Sequence, residues 1–400
     1  MVQGYIIMKK CKIALIGMGQ RGCCYAKMIN RTPEAELAAI CDTDSIRAAA
    51  FAKELELEHI PRYSTVEEML EKADFEAAVI TTPDFFHRDS AVKCCQAGKH
   101  IMLEKPMAPT AAECREIIKS CQENNCLLQV GFVLRCHPLF RRVIEVARSG
   151  KLGQLLNITS TEHIGVMHGA SYMRRWHRKL ANSGGFILAK CSHDLDIIAT
   201  VADSKVKRVA SFGSLDFFTP DKLKYNYCSK CPDQECRFRF KGEFVKMTPE
   251  EKADPSAKPF DLCVYNRDKD LVDHEVAILD FANGIKASFT LNLFAEVPKR
   301  TICVAGTEGI LYADSADEVI NINYSNGQPA ETIPCPAENS SGHGGSDQSF
   351  LDEFISCISK NQPPQADYMA GLASTVIGNA IEKARLTNQV IEIADSEYQL

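Results

Sequence analysis

The stretch "KIALIGMGQRG", residues 12–22, narrows the possible fold more than any other part of the chain. Residues 12–17 read as a strand buried on both faces, and the glycine-spaced turn after them runs directly into a helical pattern over 21–30. Gly17 allows the tight turn and Gly19 lets the backbone approach a pyrophosphate. Gly22 permits close packing of helix on strand, with the helix N-terminus facing the anion. Asp42 stands twenty residues beyond Gly22, at the end of the second predicted strand, where a carboxylate can accept both hydroxyls of a ribose. Spacing, context and acid together predict a dinucleotide held by Gly17, Met18, Gly19, Gln20, Arg21, Gly22 and Asp42. A carboxylate at 42 repels a 2′-phosphate, so NAD is expected over NADP, with Arg21 and Arg47 as the cations that work against that preference.

Strand patterns recur at 36–42, 76–82, 100–105 and 126–132, with helical patterns between them at 45–55, 64–71, 87–97 and 110–123. This alternation predicts an α/β chain that opens with a Rossmann-type, doubly wound parallel sheet. From about residue 152 the strands lengthen and alternate, as in "VDHEVAILDFANGIKASFTLNLF", where "ANG" signals a hairpin. A second, α+β domain with a large open mixed or antiparallel sheet follows, so the expected division is 1–133 and 134–400. Residues 328–347 read as a loop, with helices at about 347–360 and 367–387.

At 400 residues, 45% hydrophobic, the chain has room for two or three domains with sizeable cores. A net charge of −6 without a basic run gives no footprint for nucleic acid. The N-terminal "GYIIM" is too short for a signal sequence, and no apolar run approaches the roughly 20 residues that span a bilayer, so a cytoplasmic protein is expected. Its 18 cysteines scatter through apolar segments as reduced thiols would. Cys228, Cys231 and Cys236, with Cys263, have the spacing of a structural zinc site.

Two further motifs, "TTPDFFH" at 81–87 and "LEKP" at 103–106, end predicted strands at the edge where open α/β sheets hold ligands. The order of glycine turn, acidic strand end, "TP" with a following histidine, then "EKP" resembles the Gfo/Idh/MocA oxidoreductases, the family of glucose-fructose oxidoreductase and inositol dehydrogenase. The resemblance covers nearly the whole chain. It implies that Thr81, Thr82, Pro83, His87 and Glu104 line the cofactor and that Lys105 touches both nicotinamide ribose and the reacting hydroxyl. It also implies that "AKCSHDLDII", 189–198, supplies His193 and Asp196 to the substrate from a helix after Gly184-Gly185. Lys190 stands roughly where that family has an aspartate. A lysine there would depress Lys105 or neutralise an anionic substrate. Asp194 and Asp196, two apart, cannot share a helix face, and the motif favours Asp196 for the pocket.

The expected activity is hydride transfer between NAD and a hydroxyl carbon of a sugar, polyol or derivative, with Lys105 and His193 handling the proton and Lys190 beside them. "HIGVMHGASYMRRWHRKL", 163–180, is placed to loop over the pocket, with His168, Tyr172 and Trp176 suited to a carbohydrate; His274 and His343 are weaker candidates. Two alternatives stay open: an NAD-retaining glycoside hydrolase working by transient oxidation and elimination, and a non-catalytic dinucleotide-binding sensor. The alternating second sheet and the family's habit imply a homodimer or homotetramer.

Overall fold

The computed structural model describes residues 10–240, 261–339 and 342–400; the N-terminal "GYIIM" lies outside them. The chain begins β1 (Cys11–Ile16), α1 (Gln20–Arg31), β2 (Ala35–Cys41), α2 (Ser45–Glu54), β3 (Arg62–Tyr63) and α3 (Val66–Lys72). It continues β4 (Ala77–Ile80), α4 (His87–Gln96), β5 (His100–Leu103), α5 (Ala111–Glu123) and β6 (Leu128–Val130). The six strands pair in parallel in the order β3-β2-β1-β4-β5-β6. Order reverses between β1 and β4, and the crevice at their carboxyl ends is where such sheets bind ligands. The strands read as apolar runs because helices cover both faces: Ala77, Ala78, Val79 and Ile80 are all buried. Thr110 caps α5 in a reciprocal box with Glu113.

The second half comprises α6 (Pro138–Arg148), β7 (Leu155–Gly165), α7 (Val166–Tyr172), α8 (Leu180–Ser183), α9 (Phe186–Ala202) and β8 (Val206–Ser214). Then come β9 (His274–Phe281), β10 (Lys286–Ala295), β11 (Lys299–Gly306), β12 (Gly309–Asp314), β13 (Val319–Tyr324) and β14 (Glu331–Pro334). It closes with α10 (Ser346–Lys360), α11 (Tyr368–Thr387) and β15 (Ile391–Glu392). These strands form one mixed sheet, β14-β13-β12-β11-β7-β10-β9-β8-β15. "ANG" does turn the antiparallel hairpin β9–β10. Two expectations need correction. The stretch 328–347 is not all loop, because Glu331–Pro334 finds β13 as a partner. The loop expected over 163–180 is largely ordered by β7 and the short helix α7.

Helix α9 is buried nearly all round, with α11 against it and β7 beneath. An all-round buried helix carries no polar face of its own, so each ionisable group it holds must find a partner in a neighbouring element.

The close approach at the α1 turn can be measured. A Cβ on Gly22 would sit 1.9 Å from the Gly17 carbonyl oxygen, while one on Gly19 would meet nothing within 4 Å. Gly22→Ala should therefore cost about 1–3 kcal/mol by overpacking, read as a lowered Tm in thermal unfolding. Gly19→Ala should leave Tm within about 1 °C on the same grounds, and equal Tm values for the two variants would contradict this account of the turn.

Candidate active site

The expected cofactor residues converge on one edge, because β1, β2, β4 and β5 all point their carboxyl ends there. Thr81 Oγ1 donates to the Gly17 carbonyl at 2.6 Å, binding the β4 end to the glycine turn. Asp42 accepts the Met18 amide at 2.6 Å on one oxygen, and on the other the Asp44 amide at 2.8 Å and the Arg47 guanidinium at 3.2 Å. The carboxylate thus shapes the turn, and Oδ2, with one bond against two on Oδ1, keeps lone-pair capacity for a further donor. The buried Thr82 hydroxyl has no hydrogen-bond partner among the described residues. Pro83 turns the chain into the short 84–86 helix, and Gln20 opens α1. An open glycine turn at a helix N-terminus, a strand-end carboxylate and an orphan hydroxyl fit a dinucleotide.

His87 does not face the crevice. Fully buried, it packs between the two ligand-edge loops, with Nδ1 2.9 Å from the Pro106 carbonyl and Nε2 2.9 Å from the Thr82 carbonyl, and the one N–H of the neutral ring donates to one or the other. Burial lowers its pKa. Arg21 is likewise committed: its Nε donates to Glu104 at 2.7 Å and its Nη2 to Asp347 at 2.8 Å. Burial pushes the Glu104 carboxyl up, but Arg21 and Lys105 beside it bring the balance below the usual range.

The opening of α9 crosses this edge. Lys105 Nζ donates to the Ala189 carbonyl at 2.6 Å, joining the β5 loop to the helix. Lys190 Nζ lies 3.6 Å from Glu162 of β7, and Arg300 of β11 contacts both Glu162 and Asp194, the latter at 3.0 Å through Nε. Glu162 and Asp194 are pushed apart: burial drives the Asp194 carboxyl well up, whereas Arg300 and Lys190 overcome burial at Glu162 and hold it at about 2. Lys105 is lowered by burial first and by the Lys190 charge next, with Asp84 and Glu104 opposing. His193 is buried, its Nδ1 has no partner among the described residues, and burial followed by Lys105 and His343 depresses it strongly. Its ring faces Phe132 and His343.

Around this pair stand the aromatic and imidazole side chains of α7 and the turn after it. The Tyr172 ring lies 5.5 Å from His168 and 4.4 Å from His177, and Trp176 stacks on His177 at 3.6 Å. Burial, with Lys190 next, pushes His168 down to about 3. Trp176 also meets Phe85 edge-on at 5.6 Å, so the turn after α7 touches the β4 loop.

Three expectations are corrected. Asp196 does not join the cluster: it is held by Arg135 at 2.6 and 2.7 Å, because two residues along a helix turn it to the opposite side from Asp194. Asp194 is the aspartate beside Lys190. His274 sits on β9 against Asp273 and Asp216, 3.0 and 3.4 Å away. The zinc expectation finds no support. Among the described residues, the one group of three ligand atoms within 4.8 Å of each other is Glu162, Cys191 and Asp194, not Cys228, Cys231, Cys236 and Cys263. Arg300 and Lys190 already fill that group's need for positive charge.

Sequence reasoning missed Glu162, Asp84, Arg300 and Asp347. Asp84 lay inside a quoted motif; it is buried with a raised pKa, chiefly from burial, and Lys105 opposes the shift. Glu162 and Arg300 carry no local signal, since only strand pairing across β7 and β11 brings them together.

The electrostatics predict that Lys190→Met lets the Lys105 amine titrate higher, because a like charge is removed while burial stays the same. NMR titration of side-chain-labelled lysines should show the midpoint rising; an unchanged midpoint would mean the two ammonium groups do not interact.

Residues 11–132 match the NAD-binding Rossmann fold of the Gfo/Idh/MocA oxidoreductase family, and residues 145–393 match its C-terminal alpha/beta domain. The Bacillus subtilis protein YteT, named as an oxidoreductase, is 23% identical over 84% of this chain and 85% of its own length. The structure of an oxidoreductase domain protein from Kribbella flavida superposes with a TM-score of 0.77 at 17% identity, covering 97% of this chain and 100% of that one. Levoglucosan dehydrogenase in complex with NADH and levoglucosan gives a TM-score of 0.76 at 16% identity, covering 97% and 100%. With both of its domains matched in order, the chain belongs to the Gfo/Idh/MocA oxidoreductase family.

Proposed function

We propose that this enzyme moves a hydride between NAD and a hydroxyl-bearing carbon of a sugar or polyol, with Lys105 and His193 managing the proton. The observation that carries the reading is that Lys105, at the carboxyl edge of the parallel sheet, is anchored at 2.6 Å on the Ala189 carbonyl of α9, the helix that also carries His193, whose Nδ1 has no partner among the described residues and whose pKa burial and then Lys105 depress strongly. A bound nicotinamide supplies the hydride acceptor. Lys105 donates a hydrogen bond to the substrate hydroxyl and steadies the growing negative charge on that oxygen. His193, kept neutral by burial and by the cations around it, accepts the hydroxyl proton as the carbonyl forms. His168, Tyr172 and Trp176 offer rings and polar edges to a carbohydrate. Sugar-related relatives support that class: levoglucosan dehydrogenase shares the fold, and a Salmonella inositol 2-dehydrogenase is 30% identical over 37% of this chain.

The test is a panel of sugars and polyols offered with NAD or NADP while NADH formation is followed at 340 nm. Asp42 favours turnover with NAD; a tighter fit to NADP would overturn the cofactor assignment. Lys105→Ala should fold and bind NADH while turnover falls by about 10²-fold or more, since the lost contact is strongest in the transition state. Turnover within tenfold of the parent would make Lys105 a bystander.

The protein is further proposed to be a homodimer or homotetramer. Across the outer face of the nine-stranded sheet, register aligns Phe212 with Val276, and Ile278 with Ser288, Thr159, Cys303 and Tyr312. Phe212 is 69% and Ile278 55% exposed, an apolar face that the helices among the described residues leave uncovered. Light scattering at micromolar concentration should give at least twice the monomer mass, and a monomer would refute the assembly.

A further inference from the structure

The turn into α10 joins two ends of the crevice that the catalytic reading treats separately. His343, Gly344 and Gly345 run consecutively through left-handed backbone, at φ 60°, 63° and 92°. A histidine in that region is uncommon and persists where its surroundings hold it. Here both ends are held. The His343 ring lies 5.7 Å from the His193 ring, and its Nδ1 is 3.2 Å from the Asp347 carboxylate. Asp347 in turn accepts two bonds from Arg21, at 2.8 and 3.3 Å, and the Ser346 hydroxyl closes the turn on the His343 carbonyl at 2.6 Å. Residues 343–347 therefore reach from the His193 end of the site to the N-terminus of α1. A dinucleotide with its pyrophosphate on the glycine turn and its nicotinamide beside Lys105 would run between those same two ends.

We propose that residues 343–347 form a strap across the bound cofactor, and that the Arg21–Asp347 ion pair is its clasp, so NAD(H) leaves only when the pair opens. The proposal rests on the NAD reading above. Arg21 belongs to the parallel-sheet half and Asp347 to the mixed-sheet half, so the clasp also pins one half to the other at the cleft. Burial pushes Asp347 up, but His343 and Arg21 hold it at about 2, so the clasp stays charged at neutral pH. Asp347 is accordingly a positioning residue. Its effect falls on release rather than on encounter, as most changes in a formed contact do.

The experiment is stopped-flow displacement of NADH from the intact protein by excess NAD, read by NADH fluorescence, with thermal unfolding as the check on folding. Asp347→Asn and Arg21→Gln should each speed NADH release at least fivefold. The double variant should be no faster than the faster single, because both break the same pair. Asp347→Glu, which misplaces the charge on a longer stem, serves if the amide variant does not fold, and should also release NADH at least fivefold faster. An increase below fivefold in every folded single variant, or additive increases in the double variant, overturns the clasp. A parent protein that binds no NADH would instead strike the cofactor reading itself, and the strap with it.

Discussion

Charge buried where α9 crosses the seam between the two sheets is the constraint on which the site depends. Moving a carboxylate or ammonium out of water costs several kcal/mol even after relaxation, and the cost is met only when a partner is held in place. The partners come from elements far apart in sequence: Glu162 from β7 and Arg300 from β11 for Lys190 and Asp194, and Arg135, just before α6, for Asp196. Charged groups can therefore sit among Phe186, Ile187, Leu188, Ile197 and Ile198 because Lys190, Asp194 and Asp196 are paired sideways while the apolar residues fill the core. The arrangement also has a chemical consequence. Burial first, and then the positive charge of Lys105 and its neighbours, hold the His193 imidazole neutral and able to accept a proton.

The parallel-sheet half was largely legible in the sequence, since its signals are local. A buried strand, a glycine turn and a helix follow one another within residues 11–31, and the ligand edge can be read from where the strands stop. The two-residue β3 was missed because two residues carry no period. The mixed sheet was legible as a kind but not in its order: β7 lies between β10 and β11, a parallel pairing with β10 that no hairpin signal announces. Lys105 and His193 could be singled out at all because each stands in a contiguous motif, and the structure places Lys105 against the start of the helix that carries His193. The aspartate beside Lys190 was misread because motif spacing favoured Asp196, whereas helix geometry placed Asp194 on the Lys190 side one turn along. His87 was read as lining the crevice, yet burial between two carbonyls gives it a bracing role that a motif cannot distinguish.

The two halves are also joined away from the charged cluster, and this bears on how the chemistry is positioned. Helix α11, from the second half, docks against the first through Asn379, which accepts the Ala111 amide and donates to the Pro109 carbonyl at 3.2 and 2.9 Å. The Val130 amide at the end of β6 donates to the Ala366 carbonyl at 2.8 Å, and Gln129 reaches the Phe350 carbonyl of α10 at 3.1 Å. The same α11 holds α9 through Ser374, whose hydroxyl donates to the Ser192 carbonyl at 3.0 Å. One helix thus references both the Lys105 loop, through the parallel-sheet half, and the His193 turn of α9. Misplacing a reacting group by about 1 Å can cost on the order of 10²-fold in rate. In the proposed mechanism two side chains carried by different halves must act on one substrate, and the bonds of α11 to Ala111, Pro109 and Ser192 give them a shared support.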